Sequence, residues 1–195
     1  MINHILKARQ AFGEMAALDD DALPLDRTAL AIAAEEYPGL DSIGYLRRLD
    51  TLAARAAVLV GEEHDPAAVI DALNEVLYVQ EGLRGNEEDY YDPRNSFLNE
   101  VLDRRLGIPI ALSVIYMEVA RRLGFPVLGI GIPGHFLVKH PAGERDILID
   151  PFHCGRILTL NDCQELLDRI HHGAMTVDAA LLEPMGNRAI FFFIV

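Results

Sequence analysis

The amino-acid sequence predicts an α+β fold with a helical N-terminal half, a buried central helix and a small antiparallel sheet. Apolar residues recur at the 3.6-residue spacing of helices before Gly124, and they alternate with polar residues after Pro126. One helical segment just before this change is apolar around nearly its whole circumference, which is typical of a helix at the centre of a domain. We therefore predict helices before residue 125 and strands mainly between residues 126 and 150.

A chain of 195 residues is long enough to form a single domain with a substantial core. Its first part, about residues 1–106, is predicted to be helical. Residues 41–61 carry an apolar stripe on one face, and residues 65–82 open with the Asp-Pro pair that favours a helix start. The second part, about residues 107–195, is predicted to contain the central helix and the sheet. Its apolar end, residues 189–195, is predicted to be a packed strand.

The central helix is predicted in the segment PIALSVIYMEVARRLGFP, residues 109–126. Pro109 suits the first helical position, where its missing N–H costs nothing. Arg121 and Arg122 suit the last turn, where cations interact favourably with the helix dipole. Gly124 then ends the helix. Because apolar side chains surround this segment, we expect it to be the most buried helix of the protein.

The stretch GHFLVKHPAGERDILIDPFHC, residues 134–154, is predicted to form a β-hairpin. A turn centred after the alanine of His-Pro-Ala-Gly, residues 140–143, pairs residues whose numbers sum to 285. Opposite charges or two apolar side chains then meet at each rung: Lys139 with Asp146, Val138 with Ile147, Leu137 with Leu148, and Phe136 with Ile149. The next rung places His135 directly opposite Asp150. The hairpin therefore predicts an imidazole held beside a carboxylate.

The net charge of −13 argues against nucleic acid or an anionic membrane as a direct partner, because both require basic residues. Acidic residues concentrate between residues 61 and 95, where only Arg84 and Arg94 oppose them. The ten acids are Glu62, Glu63, Asp65, Asp71, Glu75, Glu81, Glu87, Glu88, Asp89 and Asp92. Such a run is ordinarily a solvated helix face and loop. A docking surface for a basic protein is the alternative.

The cysteine content and the apolar segments predict a cytoplasmic protein. Two cysteines, Cys154 and Cys163, do not make a disulfide scaffold. The N-terminal residues become charged before any long apolar run, so we predict no signal peptide. No apolar segment approaches the roughly 18 residues that a membrane span requires.

A histidine beside an aspartate is the base and orienter of a nucleophilic dyad or triad, in which the carboxylate stabilises the imidazolium. The missing member of such a triad is the nucleophile. The N-terminus of the central helix would suit it, because the helix dipole and free N–H groups lower the pKa of a thiol.

A helix followed by strands that present His and then Asp resembles the transglutaminase-like superfamily, which has the cysteine-protease fold. In that superfamily the helix start reads Arg, x, Gly, x, Cys. Here RRLGIPIALSV supplies Arg105, Gly107 and Pro109 at these positions. The resemblance therefore assigns Pro109 to the position of the nucleophile, and His135 and Asp150 to the other two members of the triad. Proline has no nucleophilic side chain.

A more specific resemblance extends from about residue 25 to residue 190. It is carried by residues 71–140, which begin DALNEVLYVQEG and end GHFLVKH, and by DILIDPFHCGRILT, residues 146–159. Both segments are similar to the bacterial Sir-type invasion-regulator family. In that family a transglutaminase-like domain is often followed by tetratricopeptide repeats. The present sequence reaches Val195 without repeat helices, so the resemblance predicts a domain that lacks them.

Other residues near the predicted pair were weighed for chemistry. Ser113 lies one helical turn beyond Pro109 and Cys154 lies four residues beyond Asp150, so each is a candidate substitute nucleophile. A metal ion would suit the ligand types of His135, Asp150, His153 and Cys154, but their spacing matches no strong template, and we predict no metal. The sequence contains no Gly-rich phosphate loop or dinucleotide fingerprint, so we predict no cofactor.

The resemblance and the proline at position 109 thus imply a non-catalytic, transglutaminase-like module that acts as a bacterial regulatory or scaffolding protein. Its cleft would bind a protein or peptide. The alternative is a hydrolase or acyl transferase that uses His135 and Asp150 with a nucleophile other than the lost cysteine.

Overall fold

The structure, a computed structural model, describes residues 2–62, 65–143 and 145–191 and has the predicted α+β architecture. The α-helices are α1 (Ile2–Ala16), α2 (Leu25–Glu36), α3 (Ser42–Val60), α4 (Pro66–Asn74), α5 (Leu98–Arg104), α6 (Pro109–Arg122), α7 (Leu160–His171) and α8 (Asn187–Phe191). The strands are β1 (Arg84–Gly85), β2 (Leu106–Gly107), β3 (Leu128–Ile132), β4 (His135–His140), β5 (Ile147–Asp150) and β6 (Arg156–Leu158). Shorter helical segments are the 3₁₀ turns Asp20–Ala22, Pro93–Asn95 and Ala180–Leu182, and a π-helical continuation of α4, Glu75–Gln80.

Four strands form one antiparallel sheet in the order β3-β4-β5-β6. Because successive side chains of a strand point to opposite faces, the sheet has two apolar faces. One face joins the main core around α6 through Phe136, Val138 and Ile149. The other forms a second cluster with α7: Ile130, Ile132, Leu137, Leu148, Leu158, Cys163, Leu166 and Leu167. The sheet is therefore a layer between α6 and α7.

The predicted register of the β4–β5 hairpin is wrong by two residues. Val138 pairs with Ile149 and His140 with Ile147, so paired residue numbers sum to 287. His140 belongs to the strand rather than to the turn, because its buried ring stacks on Phe125 at 3.9 Å and its Nδ1 bonds the carbonyl of Pro126 at 2.7 Å. This anchor lengthens β4 and moves the turn. A shift of two residues leaves every side chain on its predicted face, since the pattern along a strand repeats every two residues.

The predicted Lys139–Asp146 contact exists in spite of the new register. Lys139 Nζ lies 2.8 Å from Asp146 Oδ2, although Lys139 pairs with Leu148 in the sheet. A long side chain reaches its diagonal neighbour across two strands, so charge complementarity is satisfied without direct opposition.

α6 is buried as predicted. Every residue from Pro109 to Ala120 is buried, and Val114 and Ile115 have no exposed surface. The charge of buried Glu118 is compensated within the same helix, because Arg122 Nη1 lies 2.7 Å from its carboxylate. The core around α6 includes residues of both predicted parts, from α2 to α8.

Two local predictions are wrong. The polar sequence of residues 84–94 predicts a loop, but these residues contain β1, which forms a two-residue parallel pair with β2. The predicted C-terminal strand is instead the helix α8, and the rest of that segment, residues 192–195, lies outside the described residues, as does Glu63 of the acidic run. None of the helices in the described ranges combines the length and apolar character needed to cross a bilayer.

Candidate functional site

The predicted imidazole–carboxylate contact joins the start of β4 to the end of β5. His135 Nε2 lies 3.1 Å from both carboxylate oxygens of Asp150, and the two residues are only 9% and 1% exposed. The prediction that the two residues are directly opposed across the strands is wrong. Continuing the observed register by one residue places Asp150 opposite Leu137, so His135 is its diagonal neighbour. The two side chains thus meet through a diagonal contact between the strands and not through direct pairing.

The carboxylate of Asp150 is oriented by the turn that follows it. Its Oδ1 accepts hydrogen bonds from the backbone N–H groups of Phe152 at 3.0 Å and His153 at 3.3 Å. An aspartate that bonds the backbone two or three residues ahead is the usual start of an Asx turn, so the Asp-Pro-Phe-His sequence itself holds the carboxylate in place.

A second imidazole bonds the same carboxylate. His153 Nδ1 lies 2.7 Å from Asp150 Oδ2, and its Nε2 lies 3.9 Å from Glu87 Oε1. The sequence placed His153 only among possible metal ligands, with no template to support it. An Asx turn that begins at Asp150 could have predicted this contact, because such a turn brings the residue three positions later close to the aspartate carboxylate.

The pKa values of this cluster follow from its hydrogen bonds. Burial would raise the pKa of Asp150, but hydrogen bonds from His135 and His153, together with the positive charge that they can carry, hold it well below its ordinary range. The hydrogen bond to Asp150 raises the pKa of His153, although burial opposes this shift. The cluster therefore keeps an ionised carboxylate at a position that is only 1% exposed.

His135 shares a cavity with the start of α6. The cavity has a volume of about 200 Å³, and both His135 and Pro109, the first residue of α6, line it. The other lining residues are Tyr90, Ile108, Ile110, Ile132, Gly134 and Phe136. An ionised carboxylate only accepts hydrogen bonds, so Nε2 of His135 carries the proton in the neutral ring and Nδ1 is an acceptor. Among the described residues, none bonds this Nδ1.

The two candidate substitute nucleophiles do not line this cavity. Ser113 is fully buried in α6, and its Oγ has no hydrogen-bond partner in the described part of the chain. Cys154 is exposed and lines a different cavity, of about 410 Å³, together with His153 and Glu87. Burial and the charge of Asp150 raise the pKa of the Cys154 thiol, which lowers the fraction present as the nucleophilic thiolate.

A buried amide network supports the wall of the His135 cavity. Asn95 has no exposed surface, and its Nδ2 donates to the carbonyls of Asp89 at 2.7 Å and Tyr90 at 3.2 Å. Asn86 Nδ2 in turn donates to Asn95 Oδ1 at 3.0 Å. The sequence predicts a polar loop around Asn86 and, at Asn95 or Ser96, the cap of the next helix. The residue that precedes α5 is instead Phe97. The asparagine network holds the backbone carbonyls of Asp89 and Tyr90, and Tyr90 is one of the residues that line the cavity.

Three of the four residues weighed as metal ligands converge. One ligand atom each from His135, Asp150 and His153 lies within 4.8 Å of the others, and Cys154 is not part of this group. Imidazole and carboxylate are ligands that zinc and related divalent ions accept.

The sequence matches a protein-family model described as the transglutaminase-like superfamily over residues 44–192. A UPF0162 protein of Xylella fastidiosa strain 9a5c is 42% identical over 189 residues, which cover 92% of this chain and 65% of the relative. A UPF0162 protein of Pseudomonas aeruginosa is 34% identical over 90% of this chain and 63% of its own length. Mouse F-box only protein 21 is 35% identical over 149 residues, which cover 24% of its length. The chain thus spans about 65% of the length of the Xylella relative, and no solved structure matches it.

Proposed function

Because this chain belongs to the transglutaminase-like superfamily, we propose that it is a non-catalytic member whose cleft binds a protein or peptide partner. The observation that carries this proposal is Pro109, which lines the same cavity as His135 at the start of α6. A histidine base oriented by a carboxylate needs an adjacent nucleophile to activate, and a proline ring offers none.

Within the superfamily, we assign the chain to the Sir-type bacterial invasion-regulator family and give it a regulatory role in the cytoplasm. The support is the long match of residues 71–140 and 146–159 to that family's sequence pattern. In this assignment the 195 residues correspond to the transglutaminase-like part of such a protein and not to its tetratricopeptide repeats.

The alternative function, a hydrolase or acyl transferase, is favoured by one observation, the intact His135–Asp150 contact at 3.1 Å. It requires a nucleophile near that contact. Ser113 is sealed in the core, and Cys154 has a raised pKa beside another cavity. Neither residue lines the cavity that His135 shares with Pro109, which supports the non-catalytic assignment.

The size of the cavity indicates what it would bind. Sites for small-molecule ligands usually enclose about 300–1,000 Å³. A cavity of about 200 Å³ suits one inserted side chain, with the rest of the partner lying outside. Its walls are mostly apolar, and the acceptor Nδ1 of His135 would select a side chain that has an apolar stem and a hydrogen-bond donor.

The catalytic status can be tested with a fluorophosphonate and a thiol-directed acyl probe, together with assays of amide hydrolysis and acyl transfer. We expect no turnover by the wild type, and any probe labelling should be the same in His135→Ala. Turnover that His135→Ala abolishes would establish the alternative, enzymatic function.

Binding can be tested by NMR of the histidine imidazoles during titration with short peptides that differ in one central side chain. We expect the His135 resonances to shift with a subset of peptides, and Ile110→Trp, which fills the cavity, to abolish the effect. The resonances of exposed His172 are an internal control. If no peptide shifts His135, or if Ile110→Trp binds as the wild type does, the cavity is not the binding site.

A further inference from the structure

We propose that His135, Asp150 and His153 form a binding site for a divalent transition-metal ion such as Zn²⁺. The three side chains come from the start of β4, the end of β5 and the turn that follows it. Their ligand atoms lie within 4.8 Å of one another, although the residues span nineteen positions of the sequence. This inference goes beyond the proposed function and does not depend on it.

The distances within the cluster are close to those of a zinc site. Zinc lies about 2.0–2.2 Å from nitrogen and oxygen ligands, so neighbouring ligands of a tetrahedral site are about 3.3–3.5 Å apart. His135 Nε2 and Asp150 Oδ2 are 3.1 Å apart, and His153 Nδ1 and Asp150 Oδ2 are 2.7 Å apart. An ion would replace the protons that now bridge these atoms. These two separations have to increase by a few tenths of an ångström to about 0.7 Å, and the two imidazole nitrogens, which lie within 4.8 Å of each other, have to reach the same spacing. Half-exposed His153 has room to move.

The surroundings of the cluster also fit a metal site. Ligating carboxylates are usually hydrogen-bonded, and ligating imidazoles usually direct their second nitrogen to a carboxylate or carbonyl. Asp150 Oδ1 accepts two backbone N–H groups, which leaves Oδ2 for an ion. His153 directs its Nε2 to Glu87, with 3.9 Å between Nε2 and Oε1. A His135–Asp150 pair that served only to orient a base would need neither His153 nor Glu87.

An ion could reach the cluster from the side of His153. Asp150 and His135 are buried, but His153 lines the cavity of about 410 Å³ that Glu87, Asn86 and Cys154 also border. Three protein ligands leave a fourth tetrahedral position, which water or an incoming group would occupy from this cavity.

Metal binding would change the cavity on the other side of His135. A neutral imidazole that ligates an ion through Nε2 carries its proton on Nδ1. The Nδ1 atom would then change from an acceptor to a donor, so the cavity beside Pro109 would prefer a partner group that accepts hydrogen bonds. This consequence, unlike the metal site itself, rests on the proposed function.

The site can be tested by titrating the untagged, chelator-treated chain with Co²⁺ and following its visible absorption, then displacing Co²⁺ with Zn²⁺. We expect saturation at one ion per chain. His153→Gln should weaken binding at least tenfold, whereas His172→Gln, which removes an exposed imidazole elsewhere, should bind as the wild type does. Circular dichroism of each variant verifies that it is folded.

Glu87 provides a second test, because it would support a ligand without binding the ion. Glu87→Gln should weaken Co²⁺ binding about tenfold, and Glu88→Gln, an equal change of charge at the next exposed position, should not. The proposal is overturned if the wild type shows no saturable absorption, or if His153→Gln binds as tightly as His172→Gln. Failure here leaves peptide binding at the His135 cavity intact, so the two proposals can fail separately.

Discussion

The carboxylate of Asp150 accepts hydrogen bonds from two imidazoles and two backbone N–H groups in a position that is only 1% exposed. Burying an unpaired charge would cost several kcal/mol, so this number of donors is what allows an ionised group at that depth. The same bonds fix Nε2 of His135 as the protonated nitrogen of the neutral ring and leave Nδ1 as an acceptor that no described residue bonds.

The hydrogen bond between His153 and Asp150 makes stability depend on pH. The raised pKa of His153 means that its contribution is complete below the unfolded-state value of about 6.5 and is lost as pH rises through the folded value. The lowered pKa of Asp150 has the opposite sense, since its contribution is complete above about 3.9 and is lost as pH falls further.

We therefore expect His153→Gln to lower the free energy of unfolding more at about pH 5.5 than at about pH 9, by a few tenths to about 1 kcal/mol for this half-exposed residue. Urea unfolding in the presence of a chelator measures the difference, with His172→Gln as the background. A destabilisation that is equal at both pH values would mean that His153 does not bond Asp150 as an imidazolium.

At the scale of elements, α6 connects the site to the core. Its first residue borders the cavity, and its middle residues lie at the centre of the core. Ile115 has no exposed surface. Ile115→Ala should leave a cavity and lower the free energy of unfolding by about 2–5 kcal/mol. Val58→Ala, in a side chain that is 81% exposed, should change it by less than about 0.5 kcal/mol. Chemical denaturation of the two variants measures this contrast, and equal effects would contradict the central position of α6.

The helices, the buried α6 and the strands of the hairpin could be predicted from the sequence, because each depends on local periodicity. The register could not, because it depends on His140, whose place in the strand comes from stacking on Phe125 and bonding Pro126. Turn-forming neighbours made His140 look like part of the turn. Side chains alternate between the two faces of a strand, so a register error of two residues leaves each residue on its predicted face. The contact between His135 and Asp150 was therefore predicted correctly although the predicted pairing was wrong.

The remaining differences have two separate causes, a local turn and a tertiary contact. His153 joins the site through an Asx turn, and α8 is a helix although its apolar sequence predicted a strand. A short apolar run has no period that distinguishes a strand from a buried helix. Ile190 and Phe191 of α8 are buried in the main core, so packing determines the structure there.

At the scale of the whole molecule, the net charge of −13 leaves acidic surface that no arginine neutralises. Within the acidic segment, Glu81 pairs with Arg55 and Asp92 with Arg94 and Arg104. Glu87, Glu88 and Asp89 are exposed, beside the cavity that His153 lines. We propose this loop as the part of the segment that a basic protein partner would contact.

A partner docked on this loop should bind more weakly as ionic strength rises, because exposed charges are screened beyond about 10 Å at 0.1 M salt. Replacing Glu87 and Glu88 with lysine should weaken the binding of this partner and reduce the dependence of its affinity on salt. The same reversal at Asp19 and Asp21, on another part of the surface, is the matched control. Isothermal titration across a salt series provides the comparison, and an affinity that ignores both salt and charge reversal would remove the loop from the interface.

The measurement that tests the central claim most directly is the alkylation rate of Pro109→Cys by iodoacetamide at about pH 7, in a chain where exposed Cys154 is Ser. The claim is that the cleft retains a catalytic arrangement and lacks only its nucleophile. Leu160→Cys is the control, because Leu160 is the exposed first residue of α7 and has the same helix-terminal position without a histidine.

A thiol at position 109 should react at least about ten times faster than one at position 160, because His135 adds its stabilisation of the thiolate to that of the helix terminus. Adding His135→Ala should remove most of this difference. Because position 109 is buried and position 160 is exposed, the comparison at position 109 itself decides the question. A rate at position 109 that His135→Ala leaves unchanged would show that His135 does not face the start of α6 as the structure places it.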